Sequence, residues 1–340
     1  MVRRRISSSR RSFVAGTAAA AIAPFFIGRA KADEPEFTIK LATVAPAGTP
    51  WHDDLKRFKK ELSEQSGGRI KVKAYFGGGL GDENATADAT KRGTIQCFGG
   101  SIGALASAAP DLECIELPYL FPTEKIADKI LDEVVRDDLD KLLWDAGYKL
   151  CFYSENGYRS IGSTFEIKAI KDLKGRKMRV QESPSHINTM KAFGAAPVPI
   201  SVTEVLSALQ TGVVDGFDNT PLFAFAASWY QGIKYFTLTK HIYQPGVVVF
   251  SRKFWETLPA DLQAIIMADP QKMAKRSRRG VRAMGGQLVE NFRTAGVTVN
   301  ELSATERATF ESTAAVAYAK FLERASPAGT ALLKKIQAAV

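Results

Sequence analysis

Arg159 and Arg179 are the two residues of this 340-residue chain whose type and placement point most directly to chemistry. Arg179 stands in Lys177-Met178-Arg179-Val180, an alternating segment that reads as a strand. Arg159 follows Asn156-Gly157-Tyr158, just after another strand-like segment. Open α/β sheets take their ligands at the carboxyl ends of strands. A guanidinium placed there grips a carboxylate through two parallel, charge-assisted hydrogen bonds. That chemistry is anion capture rather than bond-making. For either arginine taken alone, a surface ion pair is the competing reading.

Other chemistries find little support. The histidines are His52, His186 and His241, and neither a Gly-x-Ser-x-Gly elbow nor a His-Glu-x-x-His pair is present. No His/Cys/Asp/Glu spacing suggests a metal. Phe76-Gly77-Gly78-Gly79-Leu80-Gly81-Asp82 lies between a strand and a helix, where phosphate-binding turns occur. Asp82, however, takes the third glycine position and would repel a pyrophosphate, so a structural turn is expected. Ser201-Val202-Thr203-Glu204 has the spacing of a helix capping box, which makes Glu204 a cap rather than an acid. Lys272, Lys275, Arg276, Arg279 and Arg282 share a helical face, read as a solvated one. Cys97, Cys114 and Cys151 include no close pair; burial as small hydrophobes is expected, and whether two of them join is left open. No cofactor and no catalytic residue is expected.

The elements that must position these arginines alternate between strand and helix, which predicts α/β layering with largely parallel sheets. Strands are expected at 37–44, 70–75, 95–98, 149–153, 177–180, 213–217 and 246–250. Helices are expected at 50–65, 185–193 and 202–210. After Leu258-Pro259 the pattern becomes nearly continuous helix, broken near Val297–Asn300.

Composition is that of an ordinary globular chain, with 45% hydrophobic and 24% charged residues. The formal charge of +10 raises the question of a polyanionic partner. Residues 1–32, however, read as a cleaved leader. They hold a basic start, Ser9-Arg10-Arg11-Ser12-Phe13-Val14 of twin-arginine type, an Ala/Gly-rich apolar stretch and a cleavage site at Ala30-Lys31-Ala32. Seven basic residues and no acidic one lie in this segment, leaving 39 basic against 36 acidic residues, or +3. No nucleic-acid footprint survives that subtraction. The expected location is the periplasm, with cleavage after Ala32.

Several segments together resemble the solute-binding proteins of TRAP (tripartite ATP-independent periplasmic) transporters. They are Leu80-Gly81-Asp82, Leu117-Pro118-Tyr119-Leu120-Phe121, Asn156-Gly157-Tyr158-Arg159, Gly175-Arg176-Lys177-Met178-Arg179-Val180, the run from Glu204 to Gly216, and Leu258-Pro259-Ala260-Asp261-Leu262. The resemblance implies a two-lobed α/β periplasmic binding protein fold, with a ligand cleft between the lobes and a helical C-terminal region. Lobe I would be 33–156 with 245–284, and lobe II 157–244 with 285–340. It further implies that Arg179 makes the main salt bridge to a solute carboxylate, with Arg159 and Asn219 as further contacts. Glu83, Ser101 and Glu182 match variable contact positions, and either glutamate would accept from solute hydroxyls. Departures are Gln181, where proline is frequent, and Phe217, which either faces the solute or packs in the core. The implied solute is a small organic acid, a sugar acid or dicarboxylate being favoured. The implied partners are the small and large TRAP membrane subunits, with the binding protein itself a monomer. The rival readings are a binding protein serving an ATP-driven importer or a sensor, and an exported enzyme acting on an organic acid.

Overall fold

The computed structural model describes residues 34–340, so the expected leader at 1–32 lies outside the described residues. Phe37–Ala42 (β1), Ile70–Tyr75 (β2) and Cys97–Ser101 (β3) begin the sheet, followed by the 16-residue Tyr148–Ser163 (β4). Lys177–Val180 (β5), Ala196–Pro199 (β6) and Gly216–Asn219 (β7) come next. The 17-residue Tyr235–Ser251 (β8) and Thr298–Glu301 (β9) complete it. Among the described residues the strands form one sheet in the order β2-β1-β3-β8-β4-β7-β5-β6, with β9 also pairing β8.

The sheet is mixed rather than largely parallel. β1 with β2 and β3, β5 with β6 and β7, and β8 with β9 are parallel. The centre, where β8 meets β3 and β4 and where β4 meets β7, is antiparallel. The reason is β4 and β8: each runs the full width, one half pairing in the first part of the molecule and the other half in the second. Register shifts near Cys151, Asn156 and Ser160 interrupt their ladder. Such bulges bend a strand and re-aim its side chains, and two of them flank Arg159. They also break the two-residue period, which explains why only 149–153 and 246–250 read as strands in the sequence.

Four apolar clusters cover the two faces of the two sheet halves. On β8, Val247 and Val249 join one first-half cluster, and Val248 and Phe250 join the other. In the second half, Phe217 and Phe236 lie on one face and Ile161, Met178 and Val180 on the other. The last helix, Pro327–Gln337, packs Leu332, Leu333 and Ile336 into the first-half cluster. That packing separates it from the second half, with which the sequence reading grouped all of 285–340.

Helix Pro50–Gln65 forms at its expected bounds. Thr49 caps it, Pro50 starts it, and Trp51, Leu55, Phe58 and Leu62 are its buried stripe. The ring of Trp51 lies against Gly246 of β8, where a Cβ would have no room. Its indole Nε1 donates to the Glu155 carbonyl at 3.0 Å.

Three local expectations are modified. The capping box at 201–204 does not form: the helix starts at Val205, and the Ser201 hydroxyl meets that of Thr203 at 3.1 Å. The basic face at 272–282 is only partly solvated. Lys272, Lys275 and Arg279 are exposed, whereas Arg276 pairs with Asp54 and Glu61, and Arg282 with Asp128 and Glu155. The three cysteines are buried free thiols.

Candidate functional site

The carboxyl ends of β1, β5 and β7 meet across a cleft, and the Gly-rich turn shapes its rim. Gly77 and Gly78 take positive φ, and Asp82 caps helix Glu83–Arg92 by accepting from Ala85 N at 2.8 Å. The turn is therefore structural, as expected. A Cβ on Gly78 would come within 3.0 Å of the Thr203 methyl, so the two sides of the cleft approach closely here. Nearby, Asn84 Nδ2 donates to the Glu182 carbonyl at 3.2 Å, again from one half to the other.

Arg159 and Arg179 are both buried, at 1% exposure, but their surroundings differ. Arg159 is surrounded by acceptors. Its Nε donates to Asp218 Oδ2 at 2.7 Å and its Nη2 to the Asp218 carbonyl at 2.6 Å. Its Nη1 reaches Gln244 Oε1 at 2.9 Å and Asn219 Oδ1 at 3.3 Å. Arg179 donates through Nε to the Ile200 carbonyl at 2.8 Å, and its guanidinium lies 5.3 Å from the Trp229 ring centroid. Its Nη1 is buried with no acceptor, and no carboxylate lies within ion-pair distance of it among the described residues. Burial, then the charge of Arg159, brings its pKa down to about 10. It remains a cation at neutral pH. A buried guanidinium without an anion is costly, so this group is poised to gain from one.

The other expected contact residues separate into two groups. Asn219 bonds Arg159 directly, and Glu83 and Ser101 are linked to it through Gln181. Asn219 Oδ1 accepts from Arg159 and from Thr220 N at 2.7 Å, which leaves its Nδ2 without a protein acceptor among the described residues. Glu83 accepts from Ser101 N at 2.9 Å and Ser101 Oγ at 2.6 Å, and burial raises its pKa above the usual range despite those bonds. Arg159, Asn219 and Glu83 line a cleft of about 460 Å³ including its open mouth. Arg179, Ser101, Glu182 and Phe217 are not among its lining residues. Glu182 is exposed on the rim. Phe217 is fully buried, 5.0 Å from Trp229 and 6.4 Å from Phe236 between ring centroids. It pairs with Arg179 across β5 and β7, so it supports the Trp229 ring on which Arg179 rests, and the core-packing alternative is the one observed.

Sequence reasoning missed the polar network beneath the cleft. Gln181 donates to Ser101 Oγ at 3.0 Å and accepts from Gln244 at 2.9 Å. Gln244 donates to Glu116 at 3.0 Å, and Glu116 meets His186 Nε2 at 2.8 Å. His186 Nδ1 lies 3.3 Å from Asp218, whose Oδ2 is also 3.6 Å from His241 Nε2. The chain of contacts thus joins Ser101 and Glu116 of the first half to Gln181, His186 and Asp218 of the second. One signal was available: Asp218 is a charged residue inside Gly216–Asn219, an otherwise strand-like buried segment.

The two buried histidines are tuned in opposite directions. Burial and Arg159 push His186 down, but the carboxylates of Glu116 and Asp218 on its two ring nitrogens outweigh them and raise its pKa. For His241 burial prevails over Asp218, and its pKa falls. Histidine NMR titration should therefore find one buried ring titrating above the ordinary histidine value of about 6.5 and one below it. The His186 contribution to stability is complete below the unfolded value of about 6.5 and is lost as pH rises through its raised folded value. His186→Gln should flatten that loss in denaturant titrations run across pH 6–9; an unchanged slope would count against the paired imidazolium.

Comparison with known proteins gives a consistent result. The model of "Bacterial extracellular solute-binding protein, family 7" matches residues 41–325. A solute-binding protein of Verminephrobacter eiseniae is 32% identical over 287 residues, covering 84% of each chain. The 2,3-diketo-L-gulonate-binding periplasmic protein YiaO of Escherichia coli is 29% identical over 84% of this chain and 87% of its own. Among solved structures, a TRAP periplasmic solute-binding protein of Citrobacter koseri with bound D-glucuronate superposes with a TM-score of 0.82. It is 29% identical and covers 88% of this chain and 98% of that one. Among the described residues, no helix is long and apolar enough to cross a membrane.

Proposed function

The chain belongs to family 7 of the bacterial extracellular solute-binding proteins, whose members bind solutes and are not enzymes, and from that premise we propose that it captures a small organic acid anion in the periplasm and hands it to the paired membrane subunits of a TRAP transporter. The observation that carries the solute chemistry is the buried Nη1 of Arg179, which meets no acceptor in the protein. A solute carboxylate supplies that acceptor and neutralises the cation in one contact. Asn219 Nδ2 offers a second donor to the same carboxylate. Arg159, its donors largely directed at Asp218, Gln244 and Asn219, contributes its charge and holds Asn219 in position. Glu83, fixed by Ser101, stands farther along the cleft as an acceptor.

Delivery depends on opening and closing. In this reading lobe I is 33–156 with 245–284, joined by the last helix, and lobe II is 157–244 with the segment from 285 up to that helix. The contacts of Gln181 with Ser101 and of Asn84 with Glu182 belong to the closed state and part on opening. Solute favours closure through its better contacts there, and the closed form is the one that docks on the membrane subunits. The leader 1–32 would direct twin-arginine export, with cleavage after Ala32 and a monomeric mature protein.

The carboxylate is the testable part. Thermal shift with paired probes, D-glucuronate against D-glucuronamide and mandelate against mandelamide, separates charge from shape. An acid that binds raises Tm, by the equivalent of about 2.7 kcal/mol at one hundred times its Kd. Its amide should give no shift. Equal shifts from acid and amide would remove the carboxylate from the account.

A further inference from the structure

The cleft is walled on much of its surface by apolar side chains. Resting on the reading that Arg179 takes the carboxylate, we infer that the solute is a monocarboxylate whose body is largely apolar, such as a small aromatic or branched 2-oxo or 2-hydroxy acid, rather than a sugar acid or a dicarboxylate.

Two observations carry this. The first is the wall: Val44, Pro46, Trp51, Val202, Leu222 and Phe223 all line the cleft. The second is that the polar side chains between them are partly engaged with the protein. Thr49 Oγ1 donates to the Pro46 carbonyl and accepts from His52 N. The indole of Trp51 is bound to the Glu155 carbonyl, and Thr220 Oγ1 accepts from Phe223 N. Gln181 and Gln244 bond to each other, and beyond that pair to Ser101, Glu116 and Arg159. The open capacity in reach is Asn219 Nδ2, the Thr220 hydroxyl hydrogen, one hydrogen each of Asn156 Nδ2 and Gln181 Nε2, the Oδ1 of Asn156 and the remaining lone pairs of Glu83. A hexuronate carries hydroxyls all round its ring, and those directed at Val44, Pro46, Val202, Leu222 and Phe223 would face carbon with no partner, each costly to desolvate.

Charge excludes the second class. Arg179, which is not in the lining of this cleft, is given to the first carboxylate; among the described residues that do line it Arg159 is the one cation, and Asp218 already pairs with it. Glu83 lines the same cleft, and in its ionised form it repels a second carboxylate. The same Glu83 accepts from one hydroxyl, which is the group a 2-hydroxy acid offers.

Calorimetric titration with four probes tests the inference: mandelate, 4-methyl-2-oxopentanoate, D-glucuronate and succinate. The expected result is that at least one of the first two binds at least ~100-fold more tightly than either of the last two. Glucuronate or succinate binding as tightly as both apolar acids would overturn the inference. If that binding disappeared in Arg179→Ala, the carboxylate reading would stand while this one fell. Binding of none of the four, in protein shown to be folded by its melting transition, would contradict both. Phe223→Asn supplies an independent arm, since this ring is half-buried in the wall. It should lower affinity for the apolar acid ~10-fold in protein shown by its melting transition to be folded, with some loss of Tm because the ring also packs on Trp229; unchanged affinity would remove the wall from recognition.

Discussion

Replacing Arg179 with alanine is expected to weaken solute binding by at least ~100-fold while leaving the solute-free protein as stable as before, or more so. The two halves of this result have one cause. Without solute, Arg179 is a buried cation whose Nη1 finds no acceptor. Its removal relieves a desolvation cost that the Ile200 carbonyl and the Trp229 ring offset only in part. With solute, the carboxylate is drawn into the same low-dielectric site. Removing its partner leaves the anion buried and unpaired, a loss of about 3–5 kcal/mol. Calorimetry and thermal melts on Arg179→Ala and Arg179→Met measure both parts. A residue that merely supported the fold would behave the opposite way, lowering Tm together with affinity. Arg179→Lys separates charge from geometry. An ammonium retains the charge but loses the planar fork and its packing on Trp229, so affinity should fall there too, though less.

The second large effect belongs to Asp218. It is fully buried and answers the Arg159 charge, with His186 and His241 on the same carboxylate. Burial raises its pKa, but Arg159 and the histidines outweigh burial and hold it well below the usual carboxylate range. Asp218→Ala is expected to destabilise the folded state by about 3–5 kcal/mol, because Arg159 then becomes a second buried cation without an anion. Urea titration checks this, and a loss under about 1 kcal/mol would contradict the network as described. The pH dependence follows with a definite sign. A depressed folded pKa contributes stability that is present above the unfolded value of about 3.9 and is lost as pH falls through the folded one. The wild type should therefore lose stability in the acid limb, and Asp218→Asn should show a shallower acid limb from a lower starting point.

How much of this was readable in the sequence depended on whether the signal was local. Helix 50–65 and strands 70–75 and 177–180 were legible because their apolar periods run unbroken from cap to end. Arg179 was legible for the same reason, standing in a short clean strand just before the chain leaves the sheet. The full lengths of β4 and β8 were not, because bulges at the lobe crossing interrupt the alternation. The network was not legible either. Ser101, Glu116, Gln181, His186, Asp218 and Gln244 each contribute one polar group from a different segment. No spacing rule connects residues that only the closed sheet brings together. Phe217 shows the converse: an aromatic beside a functional asparagine invites a solute role, yet strand alternation turns its ring into the core. Its effect on the site is indirect, through the Trp229 ring beneath Arg179.

The most direct test of the central claim is a crystal structure of the protein with a tightly binding organic acid. The account predicts the carboxylate on the Nη atoms of Arg179 in paired hydrogen bonds, with Asn219 Nδ2 on one of its oxygens and Arg159 still held by Asp218. A carboxylate seated elsewhere, with Arg179 Nη1 still lacking an acceptor, would contradict it.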